Sequence, residues 1–275
     1  MPVIPVEYAP IIYSVLCAAM VAGCVVYYRA LVRLFEDGGR VRSDLFGFVD
    51  APVIGVLVTF FGLTAMSAFL VTSPVEPAVL KVEKILPGAM QFALFPFGVV
   101  IFLIARNVSL IEVFGLRKVR LLKAVAYALG FLAALMPLFF LVTDIAARKL
   151  GSDAQLQPLV ELYQEGVKQR DWKVMLHTIL AAAFIAPIGE ELLFRGYLYP
   201  VLKRFIGAVP AALIGAVLFA AIHNNAVGLP GLTLLALALT IAYEWSGSLL
   251  VPMFIHCLFN SISLAASAWM ALSPK

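Results

Sequence analysis

Hydrophobic runs, broken only by short polar connectors, set the pattern of this chain. Runs approaching the roughly 20 apolar residues that a helix needs to cross a bilayer fall at Pro10–Tyr28, Phe48–Val71, Ile85–Ala105, Ala124–Ala146 and Val174–Gly196. Two shorter runs follow at Ala208–His223 and Leu232–Tyr243, and a long one closes the series at Ser248–Leu272. None alternates polar and apolar residues as barrel strands do. The expected fold is therefore all-α: a polytopic integral membrane protein with about eight transmembrane helices. A single domain is expected over 1–275, with four helices in 1–147, a polar connector in 148–173 and the remaining helices in 174–272. Within the connector, Pro158, Leu159, Leu162 and Tyr163 recur at helical spacing. That fits either an amphipathic surface helix that guides substrate or an ordinary loop.

Composition supports this reading. The 275 residues are 63% hydrophobic and 13% charged, with mean hydropathy +1.01. An average soluble domain carries about 25% charged residues, so a soluble fold is excluded. The basic excess sits in connectors: Arg29, Arg33, Arg40 and Arg42; then Arg106, Arg117, Lys118, Arg120 and Lys123; then Lys203 and Arg204. The opposite connectors hold Lys81 and Lys84, and the mixed-charge 148–173 segment. The positive-inside rule places the basic connectors in the cytoplasm and both termini outside. No basic-aromatic cluster points to nucleic acid, so the lipid bilayer is the expected partner. The first run lacks a basic leader and ends in Tyr27-Tyr28-Arg29, as a membrane anchor does. Cys17, Cys24 and Cys257 have no CxxC spacing and read as buried inert thiols.

Against this background Glu190-Glu191-Leu192-Leu193-Phe194-Arg195 stands out. Charge at lipid depth is costly, and ionisable groups kept there mark functional sites. Glu191 and Arg195 lie four residues apart, on one helix face and within ion-pair reach. Glu190 points about 100° away from Glu191, so Arg195 can hold Glu191 while Glu190 faces a cavity. The competing reading has all three at the cytoplasmic interface, snorkelling to water. If the fifth helix runs on to Arg204, Glu190 lies roughly 20 Å above Lys203 and Arg204, level with His223 on an antiparallel neighbour. A break at Gly196 or Pro200 would lower it.

On the last run His256, Asn260, Ser263 and Ser267 share one helix face. The serines read as glue between helices, whereas His256 with Asn260 forms a donor pair able to grip a carbonyl oxygen. His177 reads as an interfacial histidine, and Asp50 and Asp144 as boundary groups. Asn224-Asn225 with Gly228, Pro230 and Gly231 reads as a turn, as does Glu244-Trp245-Ser246-Gly247 with Trp245 as an interfacial anchor.

A carboxylate, two imidazoles and an amide below the membrane surface suggest hydrolysis of a peptide bond. Glu190 with His223 would take a proton from water, and His256 with Asn260 would donate to the developing oxyanion. No serine or cysteine has a matching base and orienter, which disfavours a covalent route. Three motifs, Glu190-Glu191-x-x-x-Arg195, Phe219-x-x-x-His223 and His256-x-x-x-Asn260, follow in that order, with Gly247-Ser248-Leu249 and Pro252 leading into the third. Over roughly residues 174–265 they resemble the CAAX protease and bacteriocin-processing family of intramembrane glutamic endopeptidases.

The resemblance implies an intramembrane polar cavity with Glu190 and His223 activating water, His256 and Asn260 as the oxyanion site, and support from Glu191, Arg195 and Phe219. It implies no metal and no cofactor. Asn224 and Asn225 depart from the histidine-richer second motif of the eukaryotic prenyl-protein endopeptidases. That favours the prokaryotic branch, a cell (inner) membrane location and a membrane-associated or hydrophobic protein or peptide substrate. Two other readings stand beside it: a zinc-dependent protease with His223, His256 and Glu190 as ligands, and a non-catalytic immunity or scaffold protein of the same fold.

Overall fold

The computed structural model describes residues 9–70, 82–150 and 158–273. Val71, Lys81 and the 151–157 part of the connector lie outside the described residues. Among the described residues there is no strand. In chain order the helices are α1 (Ala9–Asp37), α2 (Ala51–Leu70), α3 (Val82–Ala105), the one-turn α4 (Leu110–Val113), α5 (Leu121–Leu150) and α6 (Pro158–Gln169). They continue with α7 (Trp172–Ile206), α8 (Ala208–Ala221), α9 (Leu229–Ser246) and α10 (Leu250–Leu272). Among the described residues six helices are long and apolar enough to cross a bilayer: those containing Cys17–Leu34, Glu83–Ala105, Leu121–Lys149, Trp172–Ile206, Leu229–Ser246 and Leu250–Leu272. The apolar stretches Ala51–Thr64 and Ala208–Ala221 are shorter. The fold is that of an all-α integral membrane protein.

Helix ends follow local chemistry more than hydropathy. α1 continues past Tyr28 because nothing breaks it before Gly38 and Gly39, which take φ of 70° and 73°. Arg29 and Arg33 therefore lie on a helix and not in a connector. Asp171 caps α7 by accepting from the Lys173 and Val174 amides at 3.0 and 3.3 Å, one of the common N-cap arrangements. α7 then runs to Gly207, whose φ of 85° ends it.

Gly196 and Pro200 do not break α7, because the helix widens ahead of its prolines. A π-helical turn at Leu180–Ile185 precedes Pro187, and another at Phe194–Leu198 precedes Pro200. Such turns lengthen the ring of the hydrogen bond and recur at functional sites. Gly196 meanwhile lets α7 approach Phe114 closely, since a Cβ there would lie 2.9 Å from that ring.

α9 is the central helix, packed against α1, α5, α8 and α10. α7 packs between α3 and α10, and α8 lies against α2, α9 and the end of α7. One apolar core gathers Phe61, Leu103, Phe114, Phe194, Tyr197 and Phe219; a second gathers Phe131, Leu135, Leu239 and Ile255. The outer surface is strongly apolar: Phe97, Leu122 and Phe140, for example, are exposed, as a lipid-facing surface requires. Cys17 and Cys24 belong to that surface, and Cys257 is half-buried. The expectation of buried thiols is corrected, because α1 packs on one side only.

Asp50, expected at a boundary, and Glu244, expected in a turn, are buried anchors instead. Asp50, fully buried, pairs with Arg106 and accepts from the Tyr197 hydroxyl at 3.1 Å and the Gly47 amide at 2.8 Å. Glu244 is on α9 and not in a turn. It accepts from the Tyr199 hydroxyl at 2.6 Å, Lys203 Nζ at 2.5 Å and the Val41 amide at 3.0 Å. These bonds clamp the 38–41 loop to α7 and α9. Trp245 packs edge-on against Tyr127 and Phe131, at 4.8 and 5.4 Å between centroids. Asp144 remains exposed and pairs with Arg148 at 2.9 Å.

Candidate functional site

α7, α8 and α10 bring the three sequence motifs together. The side chains of Glu191 and Arg195 are 0% and 2% exposed and meet at 2.9 Å. A buried pair of this kind needs its remaining hydrogen-bonding capacity satisfied. Arg195 also donates to the Ala236 carbonyl of α9 at 2.9 Å and lies 4.6 Å over the Phe219 ring, a cation–π geometry. Phe219 in turn abuts the rings of His223 and His256, with centroids 4.9 and 5.6 Å away. It is the apolar hub of the site.

His256 stands between the two glutamates. Its Nδ1 donates to Glu191 Oε1 at 2.9 Å, which aims Nε2 at Glu190 Oε2, 3.7 Å away. Because a carboxylate only accepts, Nδ1 carries the proton. Glu190 Oε2 is buried without a hydrogen-bond partner. Among the described residues no hydrogen bond or ion pair joins Glu190 to His223; its neighbour is His256. His223 is held separately: Nδ1 donates to the Phe219 carbonyl at 2.7 Å, which leaves Nε2 as an acceptor.

The position of His223 follows from the shortness of α8. Its 14 residues rise only about 21 Å, less than the roughly 30 Å hydrocarbon core of a bilayer. Irregular backbone is tolerated there only where protein buries it or a cavity borders it. Asn224 takes φ 51°, and Asn225 Oδ1 accepts from the Gly228 amide at 2.8 Å. Asn225 thus supports its own turn.

Asn260 is tied to α7 through the first π-helical turn. There the Ala186 amide reaches back to the Ala181 carbonyl, and Pro187 has no N–H to give. The Ala182 carbonyl loses its usual donors, and Asn260 Nδ2 donates to it at 2.7 Å. One Asn260 N–H is therefore structural, and the second remains for another acceptor. The sequence pattern alone missed Ala182 and Ala236, because both act through backbone carbonyls. Pro187 was the readable sign of the first.

His223, Asn225, His256, Asn260, Ser263 and Ser267 line one cavity of about 330 Å³. Its other walls include Phe139 and Thr143 of α5 and Leu159 and Val160 of α6. The connector does form the helix α6, which packs across α10 with Gln164 Nε2 donating to Ser267 Oγ at 3.0 Å. His177 lies away from this cluster, its Nδ1 donating to the Lys173 carbonyl at 2.7 Å. Among the described residues, no group of three His, Cys, Asp or Glu side chains is disposed to hold a metal ion.

Fold and site together define a class: a polytopic helical membrane protein with carboxylates, imidazoles and a carboxamide gathered between its helices. Comparison with known proteins narrows it. Residues 172–262 match the family described as type II CAAX prenyl endopeptidase Rce1-like. The membrane-embedded CAAX protease MroQ of Staphylococcus aureus (strain USA300) is 27% identical over 138 residues, 48% of this chain and 53% of that protein. An uncharacterized 24.3 kDa protein of Escherichia coli is 35% identical over 92 residues, 32% of this chain and 42% of that protein. The chain spans about half the length of the curated relatives it matches. No solved structure matches it.

Proposed function

We propose that this protein is an intramembrane endopeptidase of the glutamic type, acting on a membrane-associated or hydrophobic protein or peptide in a prokaryotic cell membrane. The observation that carries the reading is the unpartnered Glu190 carboxylate oxygen, buried beside His256 of the third motif. Glu190 removes a proton from water as the water oxygen bonds to the scissile carbonyl carbon. His223 Nε2 accepts the second water hydrogen and fixes the attack direction. The oxyanion is met by the free Asn260 N–H and by His256 Nε2–H. Because His256 Nδ1 already donates to Glu191, this role requires the imidazolium form, placed between two carboxylates. The proton then passes from Glu190 to the amide nitrogen as the C–N bond breaks, releasing an acid and an amine.

The 3.7 Å approach of Glu190 to His256 supports a second division of labour within the same reaction, in which Glu190 and His256 share the proton and His223 polarises the carbonyl.

Protein reconstituted in liposomes should cleave substrates found by N-terminal proteomics of membrane fractions, and Glu190→Gln should abolish cleavage. Full activity after exhaustive chelation would eliminate the zinc reading. Failure of any purified preparation to cleave would favour the immunity or scaffold reading, which the relatives' names do not support.

A further inference from the structure

We propose that the groove between α1 and α5, walled by Trp245 of α9, is a binding site for one anionic glycerophospholipid. The groove has a volume of about 710 Å³ and shares no lining residue with the His256 cavity. Its mouth carries Arg29 and Arg33, one helical turn apart on α1, and among the described lining residues the acid beside them is Glu36. Both arginines are exposed, and among the described residues neither forms an ion pair. Their charge is not consumed by the fold.

Arg33 Cζ lies 6.0 Å from the Trp245 ring, so the indole orients the guanidinium without neutralising it. The Tyr27 hydroxyl donates to the Phe131 carbonyl at 2.9 Å, which fixes the back wall. Basic pockets between helices near a membrane surface suit anionic headgroups, and aromatic residues mark that level of the bilayer.

The other end of the groove is apolar. Val26 and Gly130 line it, and a Cβ added at Gly130 would meet nothing within 4 Å. From Arg33 to Val26 the axial rise is about 10 Å. That matches a phosphate at the arginines with the glycerol and the first methylenes of an acyl chain below it. A free anion would use the mouth alone, whereas a zwitterionic lipid would forgo the unpaired charge. The groove therefore fits a lipid that is both anionic and acylated.

Native mass spectrometry of delipidated full-length protein, titrated with phosphatidylglycerol or phosphatidylcholine, tests this directly. Phosphatidylglycerol should bind preferentially. The double substitution Arg29→Gln with Arg33→Gln should weaken it about 30-fold, given roughly one headgroup interaction lost per arginine. Gly130→Leu fills open space and should weaken both lipids while leaving the melting temperature unchanged or higher. Lys168→Gln with Arg170→Gln, an equal charge change at the α6 end, should have no effect. Equal binding of the two lipids, or indifference to the arginine pair or to Gly130→Leu, would overturn the proposal. Displacement of phosphatidylglycerol by excess inorganic phosphate alone would overturn it in favour of a simple anion site. None of these readouts depends on proteolytic activity.

Discussion

Arg195→Met should destabilise the protein by about 3–5 kcal/mol, because it leaves the Glu191 carboxylate charged and buried without its counter-ion. The guanidinium now makes charge-assisted bonds of 2.9 Å to Glu191 and 2.9 Å to the Ala236 carbonyl, and covers the Phe219 ring. Bonds to charged groups contribute about 1.5–3 kcal/mol each, so the loss is large even if the thioether side chain refills the volume. The companion Glu191→Gln leaves the buried Arg195 charge without the carboxylate it pairs with at 2.9 Å. Combining the two removes both charges from the interior, and replacing a whole buried pair costs far less than breaking it. The double variant should therefore be more stable than the sum of the single effects predicts, by about 2 kcal/mol or more. Equilibrium unfolding in mixed micelles, read by tryptophan fluorescence, gives all four corners of the cycle. Additive single effects, or an Arg195→Met cost below about 1 kcal/mol, would refute the argument. Proteolytic turnover is the wrong readout for this cycle, since Glu191 also accepts the His256 Nδ1 hydrogen.

Asn260→Ala should lower turnover about 100-fold or more through loss of an oxyanion donor. It should also cost about 1–3 kcal/mol by leaving the Ala182 carbonyl without a donor; a variant changed in neither respect would contradict both roles. Gly39→Ala should destabilise by more than about 1 kcal/mol, because φ is 73° and the new Cβ would collide with the Glu244 carboxylate. Gly55→Ala, with open space around it and negative φ, should instead gain up to about 1 kcal/mol of helix stability, both shifts being measurable by the same unfolding titration.

The all-α membrane architecture was legible from run lengths alone, since a bilayer requires long apolar helices or closed barrels. Contacts along one helix were legible too: spacing alone puts Glu191 beside Arg195 and His256 in line with Asn260. Facing between helices was not. The sequence levels Glu190 with His223, whereas the nitrogen nearest its carboxylate belongs to His256. Rotation about the helix axis decides that contact, and the two π-helical turns before Pro187 and Pro200 alter it. Prolines that read as breaks are accommodated by wider turns, which also free the Ala182 carbonyl for Asn260. Asp50 and Glu244 misled for a related reason. An acid near a run's end looks solvated unless one knows which distant groups, here Arg106 and Lys203, fold back onto it.

Glu190→Gln is the most direct test of the central claim that this carboxylate takes the proton from the attacking water. Cleavage of a membrane substrate would be followed in liposomes alongside the unfolding transition of the same preparation. Glu190→Gln should show no detectable turnover while still unfolding cooperatively, because Glu190 Oε2 has no hydrogen-bond partner to lose. Wild-type turnover by a well-folded Glu190→Gln protein would contradict it.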